Sequence, residues 1–281
     1  MYTVQAEIDL KSPVLLMQMR GWIDAGSAAA MAMDAMVGQF ELQAVATFDD
    51  DAVIDYRSRR PTMHLDDGLL ANLDWPTIDL TGGKAGHRDV LVLRGAEPDR
   101  HWRSFSTAVV DLAERFDVRR IIGVGAYPAP TPHTRKTSVV CTASTRELAD
   151  AIGHNQTRME VPAGVQAAIE VEAASRNIEA ATIWAPVPHY VATMDYPEAA
   201  AALVEAVAEH GGLELDSSTL RDAADNTRQR IDQLIDGNPE HIDMLKAMET
   251  RADEMAEVRD FAVPNADELA RQIEEFLRSE D

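Results

Sequence analysis

Four short segments carry the side chains that could do chemistry. The first is Gly21-Trp22-Ile23-Asp24-Ala25-Gly26-Ser27, in which two glycines permit a tight backbone and small residues follow. Such a turn can aim the N–H groups of a helix start into a cleft, with Asp24 either capping that helix or holding a ligand. The second is Asp55-Tyr56-Arg57-Ser58-Arg59-Arg60-Pro61. The forks of Arg57 and Arg60 suit a carboxylate or a phosphate, or pair with the acids nearby. The third runs from Leu93 to Trp102 and holds Glu97 and Asp99 two residues apart. Two carboxylates at that spacing invite acid–base work, although acids are also favoured in a first helical turn. The fourth runs from Gly123 to Arg135, where Pro128, Pro130 and Pro132 stiffen a loop between Tyr127 and His133. Asp24, Arg57, Arg60, Glu97, Asp99, Trp102, Tyr127, His133 and Arg135 are therefore the candidate ligand- or partner-binding residues. None is assigned a catalytic role.

The missing motifs narrow the chemistry. No Gly-x-Ser-x-Gly elbow announces a hydrolase serine. Gly123-x-Gly125 lacks the third glycine of a dinucleotide fingerprint, because position 128 is proline. Gly82-Gly83-Lys84 lacks the earlier glycine of a phosphate loop. No histidine pair has metal-ligand spacing, and the single cysteine, Cys141, sits in an apolar run as a small core residue. No cofactor and no metal are expected.

The elements that must position these segments read as strand and helix in alternation. Short apolar runs at 14–19, 89–93, 120–125, 138–142 and 181–185 read as strands, the central ones buried on both faces. Helical stretches fall between them, at 24–40, along the face Phe105, Val109, Leu112 and Phe116, at 163–176 and at 197–209. Residues 45–48 and 53–56 read as two further strands joined by the acidic turn Asp49-Asp50-Asp51. The pattern predicts an α/β fold, a mainly parallel sheet flanked by helices in three layers, with a helical appendage at the C-terminal end. In open sheets of that kind ligands bind beyond the carboxyl ends of the strands, which is where the four segments fall.

Composition supports a boundary. Residues 1–212 carry 29 acids and 18 bases, while residues 213–281 carry 19 and 8. The whole chain is at −22, a charge that disfavours nucleic acid and anionic membrane as partners. After Gly211-Gly212 no strand-like run remains, and apolar residues recur at helical spacing from Leu220 to Leu234 and from Ile242 to Met255, with a third helix expected over Asp267–Leu277. The expected domains are thus an α/β domain over 1–212 and an acidic helical extension over 213–281. No apolar run reaches the roughly 20 residues of a membrane span, and the start of the chain lacks a signal-peptide layout, so a cytoplasmic protein is expected.

Taken together, Gly21-Trp22-Ile23-Asp24-Ala25-Gly26, Tyr56-Arg57-x-x-Arg60-Pro61, Leu93-Arg94-Gly95-x-Glu97-Pro98-Asp99 with Trp102, and Gly125-Ala126-Tyr127-Pro128 through His133-Thr134-Arg135 resemble the proteasome assembly chaperone family in its actinobacterial form. The resemblance covers roughly residues 10–210. It implies a sandwich similar to that of nucleoside phosphorylases, a protein partner or self-association, and no established reaction. By analogy with that fold a homo-oligomer is expected, a trimer favoured over a dimer, associating more strongly as salt screens the acidic surface. The chain ends Arg278-Ser279-Glu280-Asp281 and lacks the hydrophobic-tyrosine-any ending with which archaeal relatives dock on the proteasome. The alternative reading is an enzyme or sensor that binds a small nucleoside- or phosphate-type molecule at the strand ends.

Overall fold

The computed structural model describes residues 1–21, 23–153 and 159–261, with side chains described as far as residue 255. Trp22 and the helix expected over Asp267–Leu277 lie outside the described residues. By contacts the chain forms two compact units. The first joins Met1–Ala129 to Lys136–Thr227, and the second joins Pro130–Arg135 to the chain from Arg228 onward. Residues 213–227, which open the acidic tail, lie in the first.

The first unit is built on an eight-stranded sheet. Its strands are β1 (Tyr2–Val4), β2 (Val14–Arg20), β3 (Glu41–Phe48), β6 (Ile78–Ala85), β7 (Arg88–Ala96), β8 (Arg120–Ala129), β9 (Val140–Ala143) and β10 (Glu179–Pro188), in the order β1-β3-β6-β7-β2-β8-β10-β9. The four central strands, β7-β2-β8-β10, run parallel, so their carboxyl ends lie along one rim. Antiparallel strands extend both edges. A separate two-stranded hairpin, β4 (Thr62–Asp66) and β5 (Leu69–Asp74), completes the strands.

Alternation along β2 assigns the two faces. Leu15 and Met17 join Phe105, Val109 and Leu112 of α3 (Trp102–Arg115) and Val165 and Ile169 of α5 (Val165–Ser175) in one buried cluster. Leu16 points the other way, where α1 (Ala28–Val37) packs on α6 (Pro197–Gly211). Both of these helices are rich in buried alanine, Ala28, Ala29 and Ala32 against Ala199 to Ala202, which lets their backbones approach closely. At the end of α6 two arginines donate to the last carbonyls, Arg119 to Gly211 at 2.7 Å and Arg120 to His210 at 2.8 Å, where a helix dipole favours cations. Helix α4 (Arg146–Ile152) packs beside β9 and β10. The three-layer α/β reading of the sequence stands.

The strand expected over 53–56 is absent: Val53 ends a short helix that occupies the expected acidic turn, and residues 54–56 lie in no strand. Residues Asp50–Val53 form the short helix α2, capped by the Asp49 carboxylate, which accepts from the Ala52 N–H. Acids are favoured at a cap and in a first turn, so the three aspartates that read as a bend between strands start a helix. Asp50 also accepts from the Ile78 N–H at 3.0 Å and so anchors the start of β6. Burial pushes its carboxyl up from 3.8 to about 6, against that N–H and with help from Asp79, Asp51 and Asp49. An acid whose folded pKa lies above its unfolded value binds its proton more tightly when folded. The stability it adds is complete below about 3.8 and is lost as pH rises through about 6. Asp50→Asn keeps the acceptor for Ile78 without the charge. It should melt higher than the parent chain at pH 7.5, with the gap closing by pH 4; thermal scans showing an equal gap at both would refute this.

In the second unit the described chain comprises the segment 130–135, the end of α7 (Ser218–Ile235) and α8 (Pro239–Phe261). Gly237 and Asn238 separate the two helices, and Pro239 opens the second, where its missing N–H costs no helical bond. Among the described residues no helix is long and apolar enough to cross a membrane.

Candidate functional site

The exits of β2 and β7 meet at the Arg20 carbonyl, the last residue of β2. It accepts from the Glu97 N–H at 2.7 Å and from the Arg59 guanidinium at 3.2 Å. Arg59 also holds Asp99, Nε to Oδ1 at 3.2 Å, and its guanidinium lies over Gly21, where a Cβ would stand 2.4 Å from its nitrogens. Asp99 accepts in turn from the Asp55 N–H at 2.8 Å, and the Trp102 indole donates to the Pro98 carbonyl at 2.5 Å. Three of the four chemistry-bearing segments are thereby tied into one junction.

The carboxylates at this rim hold backbone. Glu97, buried, accepts from the Val165 N–H at 2.7 Å and so caps α5, whose own cap residue Gly164 has no side chain to do it. Asp24 accepts from Ala29 and Ala30 at 2.8 and 3.0 Å, capping α1 across the intervening 3-10 turn Ala25–Ser27. Burial raises its pKa, opposed by those two N–H donors. Its backbone also bridges to Ala126, the neighbour of Tyr127 on β8. Gly26, at φ 62°, exchanges hydrogen bonds with the chain after β10: it donates to the Ala192 carbonyl and accepts from the Tyr196 N–H. A Cβ there would meet the Tyr196 Cβ at 2.7 Å, which is why glycine stands at this point of the motif.

His133 and Arg135 belong to the second unit, and there they meet acids of the tail. His133 Nε2 lies 2.9 Å from Asp232 with the ring fully buried. Thr134 donates to Glu249 at 2.5 Å. Arg135 forks onto both oxygens of Asp253 at 2.8 Å each and reaches Glu249 at 3.2 Å. Three consecutive side chains of the proline-stiffened loop thus bind acids roughly a hundred residues on. Part of the tail's negative charge has this role.

Other polar residues near the site went unremarked in the sequence. Arg59 is the arginine of its triplet that builds the junction, whereas Arg57 and Arg60 are exposed and their guanidiniums make no hydrogen bond or ion pair among the described residues. On the α5 face of the sheet Glu170 is buried and accepts from Thr142 at 3.1 Å and from Thr182. Burial raises its pKa against those donors. Gln166 accepts from the Met19 N–H at 3.1 Å. Gly123 and Gly125 make room for this layer. A Cβ at Gly123 would stand 2.6 Å from Thr182 Oγ1 and 2.8 Å from Gln166 Nε2, and one at Gly125 would enter the Trp184 ring. The glycine pair that fails as a nucleotide fingerprint is a packing feature.

An open cavity of about 400 Å³ lies away from this junction, between Tyr2 and Arg103, Ser104, Thr107 and Asp111. Among the described residues no group of three or more histidine, cysteine, aspartate or glutamate side chains is placed to hold a metal ion.

Comparison with known proteins agrees with this architecture. The family model described as PAC2 family matches residues 19–235. A Mycobacterium tuberculosis protein of unknown function is 32% identical, with a TM-score of 0.84 over 92% of this chain and 91% of its own. A proteasome-assembly chaperone homologue from the same organism is 29% identical, with a TM-score of 0.77 over 83% of this chain and 99% of its own. A PAC2 family protein from Streptomyces avermitilis is 30% identical, with a TM-score of 0.74 over 83% and 99%. The search of curated proteins finds no match to the chain.

Proposed function

This chain belongs to the PAC2 family, and on that premise we propose that it is a protein-binding, assembly-chaperone-like subunit that works through its surface, with another protein or a further copy of itself as partner. The observation that carries this reading is how the strand-end side chains are engaged. Asp24 and Glu97 cap helices, Asp99 is held by Arg59, and Trp102 is bonded to its own turn. A small-molecule site needs polar groups converging on open space. Here those groups bond one another and the backbone, which suits a rigid scaffold for presenting loops. What they leave facing outward is Arg57 and Arg60, on a chain where acids outnumber bases 48 to 26.

The test is affinity capture with the full chain from its native cells, beside an Arg57→Glu, Arg60→Glu double variant. The parent should retain a stoichiometric protein partner, or more of its own chain, and the variant should lose at least about tenfold of it, as a difference of about 1.4 kcal/mol would give. The reading fails if neither is captured while nucleosides, sugars or phosphates raise the melting temperature, as any ligand of the folded state must.

A further inference from the structure

Loop 130–135 and helix α8 form a pair in which the receptor is rigid and the occupant loosely held. Pro130 and Pro132 fix φ angles along the loop. His133 anchors it, its buried ring 2.9 Å from Asp232 near the end of α7. That leaves Thr134 and Arg135 as the side chains that read what lies against the loop, with the Arg228 guanidinium 3.5 Å from the Thr134 carbonyl beside them. What they read is a pair of carboxylates four residues apart on one face of α8. Arg135 forks onto Asp253 and, together with Thr134, takes Glu249. The Arg135 guanidinium holds the Asp253 carboxyl below the usual carboxylate range. The same face carries Leu245 and Ala252, both half-buried, and Met248, the one buried residue of α8 among those whose side chains are described.

Among the described residues little else keeps that helix in place. Helix α7 is fixed by Ile231 and Ile235, both buried, whereas the bonds from α8 to the loop are made by partly exposed side chains, and exposed ion pairs contribute little net binding. Gly237, with open space where a Cβ would stand, joins the two helices. The family match, residues 19–235, takes in the loop and stops before α8 begins. A preorganised receptor loses little freedom on binding, and a loosely held occupant on a short tether can be exchanged. We propose that the loop at Thr134-Arg135 is a recognition site for an acidic amphipathic helix of another protein, and that α8 occupies it as an internal stand-in until that partner displaces it. The ligand is the pattern α8 presents: apolar residues at the places of Leu245 and Met248, acids four apart at those of Glu249 and Asp253, and a small residue at that of Ala252. A bidentate fork selects carboxylates by geometry, which a lysine at position 135 would not do. The inference rests on the protein-binding reading above and gives its partner a chemistry.

The probe is a labelled synthetic peptide of residues 239–261, added to the full chain and followed by fluorescence anisotropy. Against the parent it should bind weakly, because the chain's own α8 competes at an effective concentration of about millimolar. Glu249→Gln with Asp253→Asn in the chain should loosen that competitor and raise the affinity for the peptide at least about tenfold. Adding Arg135→Glu to that variant should abolish the binding. Arg135→Lys, which keeps the charge without the fork, should weaken it, and carries the comparison if the glutamate variant does not fold. A peptide with the same two acids neutralised should not bind. Binding should also fall as salt shortens the Debye length from about 10 Å to about 3 Å. The inference is overturned if the neutralised chain takes the peptide no better than the parent, if Arg135→Lys leaves the affinity unchanged, or if the neutral peptide binds equally. Exchange of α8 between copies, seen as an oligomer of the parent that Arg135→Glu dissociates, would overturn it too, since the occupant would then be a second copy. If no peptide binds while capture from cells still retains a protein partner, the reading of the previous section survives and this one does not.

Discussion

Gly95→Ala should abolish the soluble fold, or lower its stability by more than about 4 kcal/mol, the range reached only when a mutation forces strain or a clash on the backbone. Gly95 stands in β7 opposite Ile78, at φ 148°, a conformation that residues with a Cβ rarely adopt. An added Cβ would lie 2.1 Å from the Thr77 carbonyl oxygen and 2.7 Å from the Ile78 Cα. Both are backbone atoms, so no side chain can rotate out of the way. The strand would have to part from β6 one residue before Ala96, whose N–H donates to that same Thr77 carbonyl, and two before Glu97, which caps α5. Total domain stabilities are about 5–15 kcal/mol, so such a loss removes a quarter or more of it. Gly68→Ala is the control. Its φ is 81°, but nothing stands within 4 Å, so only the conformational cost of about 1–2 kcal/mol applies. Urea titrations of the two variants should therefore differ strongly. Equal midpoints would mean that β7 moves aside at little cost.

The same glycine marks the limit of what could be read before the structure. The central strands β2, β7 and β8 were legible because both their faces are buried, which leaves an uninterrupted apolar run such as Val14-Leu15-Leu16-Met17. Strand β6 was not. It carries Asp79, Thr81, Gly82, Gly83 and Lys84 among its apolar residues, and its glycines are there to admit neighbouring strands: a Cβ at Gly83 would lie 1.9 Å from the Glu41 carbonyl. The hairpin had a readable signal in Asp67-Gly68, but its flanks do not alternate cleanly because of the bulge at Ala71. At the site, Asp24 makes the cap that its place before a helix allows, whereas Glu97 caps α5 and not the helix that follows it in sequence, a pairing across 68 residues that leaves no local trace. Nothing local distinguishes Arg59 from Arg57 and Arg60. Only the fold decides which of three arginines reaches the Arg20 carbonyl. Glu170 reads as the solvent side of a helix, and its burial becomes visible only with Thr142 and Thr182 beside it. The pairing of His133 with Asp232 spans 99 residues and leaves no trace in either segment.

Phe105→Ala should cost about 3–5 kcal/mol, the range for emptying a large aromatic site in a core. The ring is fully buried, its centroid 4.9 Å from that of Phe48 at a tilted angle, among Leu15, Leu91, Leu93 and Val109. These neighbours come from the sheet and from α3 itself, where strand pairing and helix geometry limit how far they can close in. The loss should therefore lie toward the upper end of the range. Its consequence for the site follows from position. Phe105 is in the first turn of α3, its N–H bonded to the His101 carbonyl, and Trp102 packs against the same cluster. The Glu97–Trp102 turn is thus clamped from below by Phe105 and from the side by Arg59. Without the ring, amide exchange should accelerate across residues 97–105, whereas β8 and β10, which pair with each other over ten residues, should keep more of their protection under native conditions. Hydrogen exchange resolved by fragment, with a denaturant titration for the total, measures both. A drop below about 1 kcal/mol, far under the range for such a cavity, would mean that the core refills the space. Uniform acceleration over the whole sheet would instead mean that the turn has no local stability of its own.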